Sequence, residues 1–227
     1  YNMLHKPALL GILGAIIGLK GYSEKGKFPE YYNLLKSLKV GITPLKHDKG
    51  NFQKVVIKYS NTIGYANKGT NFLTEEATLV KPSYRVYILL DMEKDHEFKI
   101  YEYLKKGKCE YIPYFGKNEF QTWWSSSTFQ EYEFEESPEI TKPFKLITLF
   151  EKIGKVVGEQ ENMFDIFSLQ NMEIPYMYFE RLPKYFDENL FQYELGEFVY
   201  TTFFLHKDYK IDNLFLIKNS TEYVQLH

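Results

Sequence analysis

Three of the five histidines stand beside a lysine: His5–Lys6, Lys46–His47 and His206–Lys207. Metal-free cleavage of RNA needs a general base, a general acid and a cation at the scissile phosphate, and His, Tyr and Lys can fill those roles. A histidine next to a lysine on a surface is more often inert, so these pairs alone define no active site. His96 and His227 are isolated and there is no CxxC, so no metal centre and no cofactor is expected. The chain lacks GxSxG, HExxH and P-loop motifs. The single cysteine, Cys109, lies in an apparent strand with no histidine near it in sequence, which reads as a packed thiol in a reducing cytosol.

The stronger chemical signal is local charge. The 227-residue chain carries a formal net charge of −2, yet residues 39–85 hold eight Lys or Arg against three acids. Aromatic rings are interleaved there: Phe52, Tyr59, Tyr65, Phe72 and Tyr84. Cations that neutralise phosphates beside rings that stack on bases suit single-stranded RNA. A solvated lysine-rich hairpin would show the same composition. Residues 131–139 are the opposite case, with five Glu and no basic residue, and read as a solvated acidic edge.

The elements that must hold these residues follow from periodicity. Pro7 to Leu19, PALLGILGAIIGL, is uncharged and apolar nearly all round, which predicts a buried helix. Thirteen residues are too few to span a membrane. Small residues at Ala8, Gly11, Ala15 and Gly18 form a narrow face for close packing, most simply against a sheet. A second helix is expected behind Pro29. Strands are expected at Val40–Leu45, Phe52–Tyr59, Lys81–Asp91 and Cys109–Pro113, with a loop over Asn61–Asn71 and a helix over Lys94–Lys106 stopped by Gly107. Beyond Gln121, short aromatic strands take over: Phe129–Phe134, Lys145–Phe150, Ile174–Leu182, Phe191–Leu205, Leu214–Ile217 and Glu222–Leu226. Aromatic residues reach 18% of the chain, with 20 Tyr and 19 Phe, which favours strands.

The chain opens on Tyr1 rather than Met, and one strand upstream of it would complete a βαββαβ order. The expected fold class is therefore α+β, ferredoxin-like and akin to RNA-recognition modules, with a smaller β-rich C-terminal region. That plan hosts many functions.

Three stretches, taken together and in this order, resemble one family: YNMLHKPALLGILGAIIGL at 1–19, LVKPSYRVYILL at 79–90 and YIPYFGKNEF at 111–120. They are similar to the fifth family of CRISPR-associated (Cas) proteins, RAMP-type subunits of type I Cascade complexes, and most of all to type I-B members. The likeness covers residues 1–120. It implies a RAMP domain over 1–120 with a β-hairpin thumb at about 40–81, and a β-rich region over 121–227. It also implies binding of the 5′ handle of the crRNA, contacts with the Cascade large subunit and the first backbone subunit, and proximity to target DNA near the PAM. Such a subunit is cytoplasmic, membrane-free and part of an antiviral ribonucleoprotein.

On this reading the protein is a non-catalytic scaffold. Its RNA surface is expected at His5, Lys6, Lys46, Tyr65, Asn67, Lys68, Lys81, Tyr84, Arg85 and Lys117. Lysine and arginine would hold phosphates, tyrosine would stack, and Asn67 would bond a base edge. Arg85 has an alternative role, paired with a carboxylate on the outward side of its strand. Two rivals stay open. One is a metal-independent endoribonuclease that processes pre-crRNA with a His/Tyr/Lys set, as type I-C members of the family do. The other is a protein-only interaction module built on the acidic segment.

Overall fold

A computed structural model describes residues 1–61, 72–152, 164–165 and 174–227. The architecture is α+β, with three helices and several small antiparallel sheets among the described residues. No helix among them is long and apolar enough to cross a membrane.

Helix α1 spans Lys6–Ile17 and buries Leu9, Leu10, Leu13, Ile16 and Ile17. Each such side chain contributes about 1.5–3 kcal/mol on burial, which outweighs about 1 kcal/mol lost at each mid-helix glycine. The glycines face a helix, not the expected sheet. Helix α2, Glu30–Leu35, lays Tyr31 across them. A Cβ added at Gly11 would sit 3.7 Å from Tyr31 Cζ, and one at Gly14 would overlap Tyr31 Cβ. Gly18 is different: it takes a left-handed conformation at φ 84° and ends the helix, as its Leu19 neighbour donates back to Gly14 O.

Strand β1, Lys39–Leu45, runs antiparallel to β4, Ser83–Leu89, in a register that puts Leu45 opposite Ser83. Between them, β2 (Lys54–Asn61) and β3 (Phe72–Leu79) form a separate two-stranded hairpin. Helix α3, Asp95–Lys106, follows β4 with acids in its first turn and lysines in its last, which suits the helix dipole. Gly107, at φ 65°, caps it as expected.

The expected strand at Cys109–Pro113 does not form. The Glu110 and Tyr111 amides donate to Ile16 O and Ala15 O, at 2.9 and 3.1 Å. They satisfy the open carbonyls at the end of α1, so this backbone serves as a cap and not as a ladder. Cys109 is correspondingly exposed and not a packed thiol.

In the C-terminal half, after a 3-10 turn at Ser126–Thr128, come β5 (Phe134–Glu136), β6 (Phe150–Glu151), β7 (Phe164–Asp165), β8 (Met177–Asp187), β9 (Gln192–Thr201), β10 (Phe204–Leu205), β11 (Leu214–Ile217) and β12 (Tyr223–Gln225). They pair in the orders β6-β9-β8, β12-β11-β5 and β10-β7. The expected strand at Lys145–Phe150 shrinks to Phe150–Glu151. Its forward part instead bridges β12 in parallel at Leu146–Tyr223, and Leu149 N donates to Ile42 O. His227 exchanges backbone hydrogen bonds with Val40, so the last residues also line β1.

The main core crosses residue 121. Leu149, Leu182 and Phe198 pack with the α1 side chains and with Leu35, Val40, Ile42 and Ile100. The β8 carboxylate Glu180 fastens the start of the chain, accepting from the Asn2 and Met3 amides at 2.7 and 3.1 Å.

Candidate nucleic-acid interface

The root of the β2–β3 hairpin gathers the cations. Lys46 and Lys49 lie in the turn that leaves β1, Lys54 opens β2, and Lys81 lies just before β4. The pairing of Leu45 with Ser83, and a hydrogen bond from Val80 N to Gln53 O, bring the two sides of this root together. Lys46, Lys49 and Lys81 all hold positive φ, at 54°, 47° and 49°. A left-handed lysine costs roughly 1–2 kcal/mol of backbone energy, so three at one junction mark a fixed geometry. All four lysines are exposed, and no carboxylate among the described residues lies within 4 Å of any of them.

The histidine of this root has a structural task. His47 Nδ1 accepts from the Gly50 amide at 2.9 Å and its ring meets Phe52, Tyr176 and Tyr200 edge-on. Burial moves its pKa down. The same arrangement recurs at the other two His/Lys pairs. His5 Nδ1 accepts from Ala8 N at 3.4 Å as the N-cap of α1, and His206 Nδ1 accepts from Asp208 N at 3.3 Å. His206 Nδ1 also lies 3.4 Å from Asp208 Oδ2, whereas at His5 and His47 the lone pair of Nδ1 is spent on a turn, which fixes the proton on Nε2 in the neutral ring. Such a ring can donate but offers no free base.

His5 is also wedged between the rings of Tyr1 and Tyr193, and burial pushes its pKa down to about 4. Burial pushes the neighbouring Lys6 amine down to about 8.

Other expected contacts divide. Tyr84 does not present a free ring: it lies between Phe52 and Phe115, and its hydroxyl donates to Asn2 O at 3.1 Å. Burial raises its pKa. The expected base-stacking role therefore gives way to a packing role. Arg85 is exposed, and the nearby Tyr87 hydroxyl raises its pKa. No carboxylate among the described residues lies within 4 Å of it, so the alternative carboxylate pairing does not form. Lys117 pairs with Glu76 and stands over Tyr59, 5.2 Å from the ring centroid. Tyr65, Asn67 and Lys68, and most of the expected Asn61–Asn71 loop, lie outside the described residues. Lys49 and Lys54 belong to the root although they were not among the expected contacts. Their membership in the basic stretch was the signal available in sequence.

Three of the five Glu in the acidic segment are paired by lysines of this chain. Lys105, Lys218 and Lys39 pair with Glu131, Glu133 and Glu136 at 2.8, 3.1 and 3.3 Å. No cluster of metal-binding side chains occurs among the described residues.

No family model matches the chain, and no curated protein matches it.

Proposed function

We propose that the protein is a non-catalytic, RNA-binding subunit of a type I CRISPR Cascade, holding the 5′ handle of the crRNA between the large subunit and the backbone. The observation that carries this reading is the hairpin root, where Lys46, Lys49, Lys54 and Lys81 are exposed without a carboxylate partner among the described residues. Uncompensated lysines at a fixed spacing attract a polyanion. The hairpin between β1 and β4 is where the resemblance puts a thumb. On this reading the β1–β4 pair and helices α1 and α3 are the greater part of a ferredoxin-like RAMP domain.

The endoribonuclease alternative is weaker, because His5 and His47 each spend Nδ1 on a backbone amide. The protein-only module is also weaker, because three lysines of this chain already engage the acidic segment. The test is binding of a repeat-derived RNA to the purified chain, measured across salt and in EDTA. Salt-sensitive binding without cleavage supports the scaffold. Specific cleavage lost on a single His substitution overturns it.

A further inference from the structure

The chain doubles back on itself after α3. Tyr114 bridges Gln121 in an antiparallel pair, and Thr122 N donates to Pro113 O at 2.9 Å, so Ile112 falls opposite Trp123. Alternation along this ribbon puts Ile112, Tyr114, Gln121 and Trp123 on one face, and Pro113 and Thr122 on the other. Burial follows that split. Pro113 is buried and Thr122 half-buried, while Trp123 is 84% exposed, Ile112 64% and Tyr114 48%. The ribbon is nonetheless fixed to the body. Tyr111 N donates to Ala15 O, Phe115 stacks on Tyr84, and Trp124 Nε1 donates to Leu104 O at 3.0 Å. A tryptophan held in place with its ring in water is the residue type that anchors interfaces.

The backbone there is open as well. Gln121 belongs to a non-hydrogen-bonded pair, so its N–H and C=O point away from the facing strand, and those of Trp123 do the same two residues on. These groups have no hydrogen-bond partner among the described residues. An open edge beside an apolar face is a template for an added strand. Charge narrows the occupant. Sites that stack bases set free cations beside their rings. Of the lysines that flank this ribbon in the chain, Lys105, Lys106 and Lys117 are paired with Glu131, Glu102 and Glu76, which leaves Lys108. At the turn between the strands, Glu119 has no basic group within 4 Å among the described residues. The unmet charge beside the edge is therefore negative and calls for a cation on the partner. The exposed side chains offer roughly 400 Å², about half of what each copy in a stable dimer buries, which argues against a second copy.

We propose that the outer edge at Gln121 and Trp123 receives an extended segment of a partner protein. That segment is apolar at alternate positions and carries a lysine or arginine beside Glu119. Its backbone pairs with the open groups of Gln121 and Trp123, and its apolar side chains cover the Trp123 ring. The docking edge stands whether or not the chain binds RNA.

The test selects a library of short random displayed peptides on the whole chain and, in parallel, on Trp123→Ala, a surface substitution that leaves the core intact. The expected result is enrichment, on the native chain, of peptides with apolar residues at alternate positions and a basic end. Their synthetic forms should bind the native chain roughly tenfold or more tightly than Trp123→Ala. They should also slow hydrogen exchange at the Gln121 and Trp123 amides. Methylating one of the two alternating sets of peptide backbone amides should abolish binding, because it removes the donors to the edge. No enrichment, equal enrichment on both proteins, or a bound peptide that leaves those two amides unchanged overturns the proposal. The other occupants are tested beside it. A single-stranded oligonucleotide that quenches Trp123 and displaces the peptide assigns the face to nucleic acid. A monomer–dimer equilibrium that Trp123→Ala abolishes assigns it to a second copy. Either result overturns the proposal.

Discussion

Lys117 pairs with Glu76 of β3 and stands over the Tyr59 ring of β2, so a loop that follows α3 holds the β2–β3 hairpin against the body of the protein. The pair is partly exposed, and such pairs add little global stability. Its effect is local. Lys117→Ala is expected to leave the denaturant midpoint nearly unchanged while hydrogen exchange speeds up in Lys54–Tyr59 and Leu73–Leu79. Exchange unchanged in both strands would show that the hairpin is held by other contacts.

Gly14 tests the seam between α1 and α2. Alanine there gains about 1 kcal/mol in helix propensity but forces a methyl into the backbone-proximal part of Tyr31. Overpacking of that kind costs about 1–3 kcal/mol, so Gly14→Ala is expected to be destabilising on balance. Pairing it with Tyr31→Gly should recover part of the loss, because glycine lacks the Cβ that the added methyl would overlap. Chemical denaturation of the two single variants and the double variant gives the coupling.

Stability should fall in acid through the buried histidines. The folded-state pKa of His5 is about 4 and that of His227 about 3, both below the ordinary value of 6.5. The unfolded chain therefore takes up protons first. Their contribution is complete above about pH 6.5 and is lost as pH falls toward 4 and then 3. For His5 the shift corresponds to about 3 kcal/mol. His5→Asn keeps an N-cap acceptor and removes this titration, so its stability should vary less between pH 7 and pH 4. An unaltered pH profile in His5→Asn would place the acid sensitivity elsewhere.

Much of the frame was legible in sequence, and the failures have physical causes. Helices α1 and α3 and strands β1 and β4 carry clear periodicity, with a clear stop at Gly107, and they stand within a residue or two of expectation, although Gly18, read as a packing residue, is what ends α1. Cys109–Pro113 failed because its backbone satisfies the end of α1, a tertiary demand with no local signature. Lys145–Phe150 failed as one strand because its residues are shared between β1 and β12. The basic stretch was visible in composition. That its root lysines lack a carboxylate within 4 Å was not, because that depends on where the three acids go: Glu75 and Glu76 pair with Lys58 and Lys117, and Asp48, in the same turn, pairs with none of them. The capping roles of His5, His47 and His206 were equally hidden, since a histidine two or three residues before an amide looks the same whether or not the turn closes.

The hairpin root makes a quantitative claim. If Lys46 and Lys81 each neutralise one phosphate of a single strand, replacing both with alanine should reduce the slope of log affinity against log salt by about 1.4. The loss should be uniform across RNA sequences, because phosphate contacts carry no base information. Unchanged affinity and slope would remove both lysines from the interface.

The most direct measurement is protection of the guide. The chain is expressed with its neighbouring operon subunits and a repeat–spacer RNA, with and without this protein, and the 5′ end of the recovered guide is probed with nuclease. The account predicts a shielded 5′ end when the protein is present, exposed when the protein is omitted or when Lys46 and Lys81 are both alanine. A protein that never joins the complex, or a 5′ end equally shielded without it, would contradict the account.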